Sequence, residues 1–337
     1  MSERSSSLVH MLNFPQPPKE YGQVFLEDTD RPLPDNPAKS TRYALFTTIA
    51  KGGKSLIKSC RDLHLSRVVC YKTLKPEFAD DEIEQRRLLR EARVSAMLQH
   101  PNTVPTYEIG RDNRGHLYFT MKLVHGYTLR EIFDYRERYD LTQLVDVVVQ
   151  IGHALEYAHT HGVAHRDIKP ENILVGPYGE VLLLDWGLAK VWAKDGSGSS
   201  ALAQKEVQDK THEQAPDEDM AITQRGQLQG TVVYMSPEQI RKDPQISTQT
   251  DIYSLGAVLY ELLCGVTPHQ GEKVHQVITS IQQDEPALPS TLSNHRVPAL
   301  LEDVAMQCLR KDPAQRLATI SDMVRLLQED WRSELLG

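Results

Sequence analysis

Two short polar clusters, separated by one apolar hairpin, constrain this chain more than any other feature. The first cluster, His165–Asn172, has the sequence HRDIKPEN, and the second, Asp185–Gly187, has the sequence DWG. Between them, two runs of apolar residues flank the turn GPYG, which is the pattern of a β-hairpin. Because a hairpin returns the chain to the end at which it began, the sequence predicts that Asp167, Asn172 and Asp185 lie close together.

Three oxygen-bearing side chains at one point indicate a charged ligand. Carboxylate and amide oxygens suit Mg²⁺, which proteins commonly share with the phosphates of a substrate. Each of these residues taken singly is explained better by the capping of a turn. The ordered set at this spacing is what predicts a catalytic site.

With these motifs the chain resembles the eukaryotic-type, or Hanks-type, serine/threonine protein kinases. The resemblance implies an α+β fold with two lobes: a small N-lobe with an antiparallel sheet and one helix, and a larger, mainly helical C-lobe. It implies that Asp167 accepts the proton of the substrate hydroxyl, that Lys169 acts beside the γ-phosphoryl group, and that Asn172 and Asp185 bind Mg²⁺ or Mn²⁺. The sequence around DWG, with Trp in place of the family's Phe, is similar to many bacterial members.

A second part of the resemblance concerns Lys72 and Glu91. Residues 69–72, VCYK, match the VAIK strand of the family, so Lys72 would hold the α- and β-phosphates of ATP. On the predicted helix that follows, Glu91 shares a face with Leu88, Ser95 and Leu98. A carboxylate on that inward stripe needs a cation, so we expect an ion pair between Lys72 and Glu91. The alternative is that both residues are solvated surface charges.

The phosphate loop departs from the family pattern. Residues 49–57, IAKGGKSLI, stand where GxGxxGxV is expected, with Ala50 and Ser55 in place of the first and third glycines. A loop with fewer glycines approaches phosphate less closely. The resemblance assigns phosphate binding to loop residues Ala50, Gly52, Gly53, Ser55 and Ile57. It assigns adenine binding to the hinge, the segment that follows the last N-lobe strand, through Met121, Lys122 and Val124.

The chain is expected to consist of a leader, one kinase domain and a tail. Residues 1–42 contain six of the 19 prolines and almost no periodic apolar pattern, which indicates a disordered leader. The expected parts that follow are the kinase domain at 43–331, with the N-lobe at 43–124 and the C-lobe at 125–331, and a tail at 332–337. A polar insert at 194–220, in the activation segment, has three Lys against seven Asp and Glu and so a net charge of −4.

Periodicity and turn residues predict the secondary structure of the domain. The expected N-lobe strands are Tyr43–Ile49, Leu56–Cys60, Arg67–Leu74, Tyr107–Gly110 and His116–Val124. The expected helices are Asp80–Gln99 in the N-lobe, then Leu141–His161, Asp251–Cys264, Pro298–Leu309 and Ile320–Trp331.

The end of the activation segment is matched by residues 230–238, which finish with Ser-Pro-Glu in place of the family's Ala-Pro-Glu. The resemblance gives structural roles to Asp251, which would brace the catalytic loop, and to Arg316, which would pair with Glu238. Lys169 and Thr231 fit the serine/threonine branch of the family.

Regulation is expected to involve Arg166, the cation directly before Asp167. In the family such an Arg is often neutralised by a phosphate on the activation segment. Thr223 lies eight residues before Thr231 and beyond an acidic run, so we expect autophosphorylation at Thr223. The alternative is that Thr223 is merely an exposed loop residue.

Charge and composition restrict the partners. A net charge of −8 argues against a surface that coats nucleic acid. The sequence contains no run of about 18 apolar residues, so no membrane-spanning helix is predicted. The first residues lack an export signal, so a cytoplasmic location is expected. The expected partners are protein substrates, and autophosphorylation implies a homodimer.

These observations predict a serine/threonine protein kinase that uses ATP. One alternative is a pseudokinase scaffold, for which Ala50 and Ser55 are the support. Another is a small-molecule kinase of related fold, which residues 230–238 argue against because the family uses that segment to dock protein substrates.

Overall fold

The computed structural model describes residues 42–135, 139–192, 232–329 and 331–335. These residues form two compact units. The first runs to Tyr127 and also includes Leu174–Leu188, and the second contains Thr128–Ile173 and the residues from Ala189 onward. The predicted leader, apart from Arg42, and the predicted polar insert at 194–220 lie outside the described residues.

The first unit is built on a five-stranded antiparallel sheet with the strand order β1-β2-β3-β5-β4. Its strands are β1 (Tyr43–Lys51), β2 (Ser55–Asp62), β3 (Arg67–Leu74), β4 (Thr106–Arg111) and β5 (Leu117–Met121). The interior strands β3 and β5 are rich in β-branched and aromatic residues, which pack well on a sheet that is covered on its faces.

One helix covers a face of this sheet. α1 (Glu82–Met97) begins after Asp81, whose carboxylate accepts two backbone N–H groups of the first turn as an N-cap. Its apolar stripe and the sheet share a core made of Leu74, Leu88, Ala92, Leu117 and Phe119. The opposite face is closed by Tyr71 and Tyr118, whose rings stack 4.5 Å apart.

The predicted hairpin is present. β8 (Ile173–Val175) and β9 (Val181–Leu183) belong to a three-stranded sheet of order β6-β8-β9, in which β6 is Tyr127–Thr128. Just before β6, a Cβ on Gly126 would lie 2.2 Å from the carbonyl oxygen of Val175. Glycine at position 126 therefore allows the backbone to pass close to β8.

The second unit is mainly helical. Its helices are α2 (Leu129–Phe133), α3 (Leu141–Thr160), α4 (Pro237–Ile240), α5 (Gln249–Cys264), α6 (Val274–Gln283), α7 (Pro289–Leu292), α8 (Ala299–Cys308) and α9 (Ile320–Leu327). A short antiparallel pair joins β7 (Val163–Ala164) to β10 (Lys190–Val191). In the part of the chain that the structure describes, no helix has the length and apolar character needed to cross a bilayer.

α5 is the centre of this unit, since 14 of its 16 residues are buried. A Cβ on Gly256 would lie 2.3 Å from the Cβ of Cys308 on α8. The glycine therefore lets α5 and α8 pack closely. The α+β prediction with an antiparallel sheet, one N-lobe helix and a helical remainder is confirmed.

Two predicted elements extend three or four residues beyond their observed ends. The strand predicted at His116–Val124 ends at Met121, because its partner β4 begins only after Pro105, which has no N–H for the ladder. The helix predicted at Ile320–Trp331 ends at Leu327, whose carbonyl accepts the indole N–H of the buried Trp331 at 2.9 Å. The apolar Trp331 continues the helical pattern in sequence, but it packs back onto the helix end.

The sequence prediction omitted α6. Its sequence, VHQVITSIQQ, is rich in β-branched residues that favour helix only weakly. Val277 and Ile281, four positions apart, are buried on one face of α6. Tertiary burial rather than intrinsic propensity therefore stabilises this helix.

Candidate active site

Lys72 and Glu91 form a buried ion pair in the first unit. Lys72 lies on β3 and Glu91 lies in the middle of α1, and Nζ of Lys72 is 2.5 Å from Oε1 of Glu91. Both residues are 7% exposed. The expected ion pair is therefore present, and the two residues are not solvated surface charges.

Burial and charge act against each other at this pair. Burial alone would lower the pKa of Lys72, but the charges of Glu91 and Asp185 raise it above its ordinary value. Burial raises the pKa of Glu91 to about 7, with Lys72 opposing the rise and Asp185 adding to it. The charges of two carboxylates thus act on one ammonium group, and this excess of negative charge suits a further cation.

Asp185 follows β9 in a left-handed backbone conformation, with φ of +60°. This conformation is uncommon for a residue with a side chain and is often found at functional sites. The chain then enters a 3₁₀ turn at Trp186–Leu188, where the N–H of Gly187 donates to Oδ1 of Asp185 at 3.2 Å. The turn buries the ring of Trp186 and leaves Asp185 exposed.

The register of the sheet aligns the phosphate loop with Lys72. Ala50 on β1 is the partner of Ile57 on β2, and Ile57 is the partner of Lys72 on β3. Directly opposed residues on neighbouring strands project to the same face of a sheet. Ala50, Ile57 and Lys72 therefore share a face, and Gly52, Gly53 and Ser55 lie at the end of the β1–β2 ribbon.

The predicted hinge residues follow directly on β5. Met121 ends the strand, and the backbone N–H of Lys122 donates to the carbonyl oxygen of Pro105 at 3.0 Å. That bond occupies the N–H of Lys122. The backbone groups of Lys122 and Val124 were expected from the sequence to contact adenine, and the N–H of Lys122 is used within the protein.

Asp167, Lys169 and Asn172 form a close cluster in the second unit. Nζ of Lys169 lies 3.1 and 2.9 Å from the two carboxylate oxygens of Asp167. The amide nitrogen of Asn172 donates to the backbone oxygen of Asp167 at 2.8 Å and to its Oδ2 at 2.9 Å. Because the nitrogen of Asn172 makes both bonds, its amide oxygen is the atom suited to a cation.

Asp251 holds the backbone that leads into this cluster. Its carboxylate, fully buried near the start of α5, accepts the N–H groups of His165 and Arg166, each at 2.8 Å. It also lies 2.8 Å from Nε2 of His159 on α3, a contact that the sequence prediction missed. The bracing role expected for Asp251 thus involves two helices.

Arg316 and Glu238 form the second expected structural pair. The guanidinium donates to both carboxylate oxygens, at 2.7 and 2.8 Å, and both side chains are almost completely buried. Arg316 also donates to the carbonyl oxygens of Gln249 and Arg310, each at 2.8 Å. The pair therefore joins α4 to the start of α5 and to the end of α8.

A further network surrounds Arg130 on α2. Its guanidinium donates to Glu171 at 2.9 Å and to Glu261 at 2.6 Å, and it contacts the hydroxyl of Tyr234. Burial and the negative charge of Glu261 raise the pKa of Tyr234, whose hydroxyl donates to Glu261. The sequence prediction missed this network, although Glu261 inside an apolar helix was a signal of it.

The donor chemistry of these residues fits a magnesium–nucleotide complex. No cluster of three or more His, Cys, Asp or Glu side chains able to hold a metal occurs among residues 42–135, 139–192, 232–329 and 331–335. A Mg²⁺ ion shared with phosphates needs only one or two protein ligands. The exposed carboxylate of Asp185 in the first unit is an oxygen group of that kind, and so, taken by itself, is the amide oxygen of Asn172 in the second unit.

The structure describes one of the three predicted regulatory residues. Arg166 has a left-handed backbone, with φ of +71°, and its carbonyl oxygen accepts the side-chain amide of Gln239 at 2.7 Å. Thr223 and Thr231 lie outside the described residues.

The sequence matches the family model for the protein kinase domain over residues 43–332. It is 32% identical over 316 residues to the serine/threonine-protein kinase PknD of Chlamydia felis and 33% identical over 313 residues to that of Protochlamydia amoebophila. Each of these matches covers 88% of this chain and 31% of the relative. PknD of Mycobacterium tuberculosis is 31% identical over 281 residues, which cover 83% of this chain and 38% of that protein. The chain spans about a third of the length of these curated relatives.

Proposed function

This chain belongs to the Hanks-type protein kinase family, and on that premise we propose that it transfers the γ-phosphoryl group of ATP to serine or threonine hydroxyls of proteins. The observation that carries the proposal is the buried ion pair of Lys72 with Glu91, on which the charge of Asp185 also acts. The cluster of Asp167 with Lys169 supplies the groups that such a transfer needs at the hydroxyl.

Charged and polar side chains of the protein bind the phosphates and the cation in this proposal. When bound, ATP supplies the phosphoryl group, and Mg²⁺, or Mn²⁺ in its place, neutralises charge on the phosphates. Lys72 binds the α- and β-phosphate oxygens, and Glu91 holds its ammonium group in position. Asp185 and Asn172 bind the cation through oxygen atoms.

The remaining nucleotide contacts are proposed for backbone and small side chains. The carbonyl oxygen of Lys122 and the backbone of Val124 hydrogen-bond the adenine, beside Met121. The loop residues cover the phosphates and ribose through Ala50, Gly52, Gly53, Ser55 and Ile57.

Asp167 orients the substrate hydroxyl and accepts its proton. Lys169, which lies within hydrogen-bonding distance of Asp167, neutralises negative charge on the transferring group. Little covalent chemistry is left to the protein, so the rate depends on positioning and on fixed charges. Lys169 and Thr231 support the choice of serine and threonine as acceptors.

A pseudokinase scaffold is the second candidate, and Ala50 and Ser55 favour it. The two candidates differ in a direct assay. The purified protein would be incubated with γ-labelled ATP, Mg²⁺ or Mn²⁺ and a generic basic protein, beside an Asp167→Asn control. Label transfer by the wild type alone supports the kinase, and no transfer by either protein supports the scaffold.

Autophosphorylation at Thr223 is proposed as the activating event. A phosphoryl group with a charge of about −1.5 to −2 can order a segment by pairing with a cation such as Arg166. The reaction in trans would bring two copies together as a homodimer. Mass spectrometry of active and Asp167→Asn protein tests the site, and absence of phosphate from Thr223 in the active sample contradicts it.

We propose a cytoplasmic location and protein substrates. All four cysteines are free thiols, and three of them are buried, which fits a reducing compartment. The DWG sequence at Asp185–Gly187 supports a bacterial-like member of the family.

A further inference from the structure

Lys54, at the tip of the phosphate loop, is paired with a residue of α1. Its Nζ lies 2.7 Å from Oε1 of Glu84, in the first turn of that helix. Glu84 is buried, at 6% exposure, whereas about half of the Lys54 side chain is exposed. The ion pair therefore joins a surface loop to a buried carboxylate.

Glu84 has a second cation, but that cation belongs to the same helix. Nη1 of Arg87 lies 2.8 Å from Oε1 of Glu84, three positions along α1. Such a pair stabilises the helix itself and orients the carboxylate. Lys54, 30 positions away in sequence, is the partner that connects Glu84 to the loop.

The backbone of the loop tip is also held from the α1 side. The N–H of Lys75 donates to the carbonyl oxygen of Lys54 at 2.9 Å, and Nζ of Lys75 donates to that of Gly53 at 2.6 Å. Lys75 directly follows β3 and begins the connection to α1. Three bonds thus attach the loop tip to the helix and to the segment that leads into it.

We propose that Glu84 is a positioning residue for phosphate binding, acting through Lys54. α1 carries both Glu84 and Glu91, so the same helix sets the position of the loop tip and of Lys72. Because Ala50 and Ser55 stand in place of glycines, the loop backbone has less freedom to approach phosphate, so binding depends more on where the ion pair holds the loop tip. The inference rests on the proposed function, because it requires that the loop covers phosphates.

The ion pair also argues against a role of Lys54 as a direct phosphate ligand. Moving its ammonium group to a phosphate would leave the buried Glu84 with Arg87 alone. A buried carboxylate that loses a cation is destabilised. Lys54 therefore stays with Glu84 when nucleotide binds.

A double-mutant cycle tests the proposal. Glu84→Gln, Lys54→Met and the double variant would be compared by calorimetric titration with MgADP and by steady-state kinetics with ATP. Each single change is expected to raise the Kd for MgADP and the KM for ATP about 5-fold, with kcat changed less than about 2-fold. The double variant is expected to be no worse than either single one, because both remove the same contact.

The matched control is Glu82→Gln, in the same turn of α1. Glu82 is exposed and pairs with Arg86 on its own helix at 3.1 Å, so it has no link to the loop. It should bind MgADP like the wild type. Lys54→Met changes a half-exposed loop side chain, so it keeps the test decisive even where Glu84→Gln reduces the yield of folded protein.

A second measurement does not depend on nucleotide. Amide hydrogen exchange of the nucleotide-free protein should be faster at Lys75 and Gly52 in Glu84→Gln and in Lys54→Met than in the wild type and in Glu82→Gln. The Lys75 amide bonds the loop tip, and the Gly52 amide bonds Ser55 O within it, at 3.0 Å.

Three results would overturn the positioning role. Tighter MgADP binding by Glu84→Gln together with weaker binding by Lys54→Met would make Lys54 a direct phosphate ligand. Unchanged MgADP binding and unchanged amide exchange in both variants would show that the ion pair does not position the loop. The proposed function would still stand in that case, because the wild type binds MgADP. Failure of the wild type to bind MgADP would overturn the proposed function and the positioning role with it.

Discussion

Nε2 of His159 lies 2.8 Å from Oδ2 of Asp251, although the two residues are 92 positions apart on α3 and α5. The same carboxylate accepts two backbone N–H groups directly before Asp167. A fully buried charge thus joins two helices to the loop that carries the proposed base. The stability of that loop should depend on the charge of Asp251.

Asp251→Asn is expected to destabilise the protein in a pH-dependent way. Burial alone would raise the pKa of Asp251, but His159 and the backbone donors lower it below its ordinary value. A carboxyl group whose pKa is lower in the folded protein than in the unfolded chain stabilises the fold at any pH above its unfolded pKa. This stabilisation is lost as the pH falls through the folded pKa. At pH 7 the variant should lose about 2–4 kcal/mol of unfolding free energy, measured in urea.

Below about pH 4 the difference between wild type and Asp251→Asn should shrink, because the carboxyl group of Asp251 takes up a proton in the unfolded wild type before it does so in the folded protein. Asp303→Asn on α8, at an exposed position, is the control and should change the free energy by less than about 0.5 kcal/mol. A difference that is constant from pH 7 to pH 3 would contradict the assignment.

Lys72→Ala and Asp185→Ala are expected to lower kcat/KM by about 10²-fold or more while the fold persists. Without Lys72, the pKa of Glu91, already about 7, should rise further, so Glu91 takes up a proton instead of remaining as an unpaired buried charge. Phosphate transfer and melting temperature would be measured together. Near-native rates with an unchanged melting temperature would show that the proposed nucleotide site is wrong.

Arg316→Lys is expected to cost about 1–3 kcal/mol of unfolding free energy, since lysine keeps the positive charge beside Glu238 but cannot make the bidentate hydrogen bonds. The control is Arg325→Lys, because Arg325 of α9 pairs with Glu329, just beyond the helix, and both side chains are exposed. That change should cost less than about 0.5 kcal/mol. Equal effects of the two substitutions in denaturant unfolding would refute the prediction.

Arg130→Met should destabilise the protein more than Tyr234→Phe. Removing the guanidinium leaves the Glu171 and Glu261 carboxylates without their shared cation, whereas removing the hydroxyl leaves the direct bond of Arg130 with Glu261 in place. The hydroxyl should account for about 1–2 kcal/mol. Urea unfolding of both variants measures the two losses of unfolding free energy. A larger loss in Tyr234→Phe than in Arg130→Met would rule out the interpretation that Arg130 is the shared cation.

Ala50→Gly combined with Ser55→Gly should bind MgADP at least as tightly as the wild type. Glycine restores the freedom of the loop to approach phosphate, while the Lys54 ion pair still holds its tip. Calorimetric titration measures the affinity. A loss of tenfold or more would show that the loop binds by a geometry that needs the Ala and Ser side chains.

Much of the candidate site could be predicted because its residues lie close together along the chain. The polar clusters at 165–172 and 185–187, and the helical stripe that carries Glu91, follow from local patterns of residue type. The same patterns predicted most strand and helix bounds within two residues. Lys72 was matched through its strand, and the partner it needed was identified because an inward carboxylate requires a cation.

The folded chain alone shows the contacts that join distant segments. Lys54 meets Glu84 across 30 positions, and Arg130 meets Glu261 across 131. Which charge reaches which carboxylate depends on strand register, on helix rotation and on burial, and none of these is encoded in local spacing. Trp331 shows the same limit, since its apolar character extends a helical pattern, yet its indole instead caps the end of α9 by bonding Leu327.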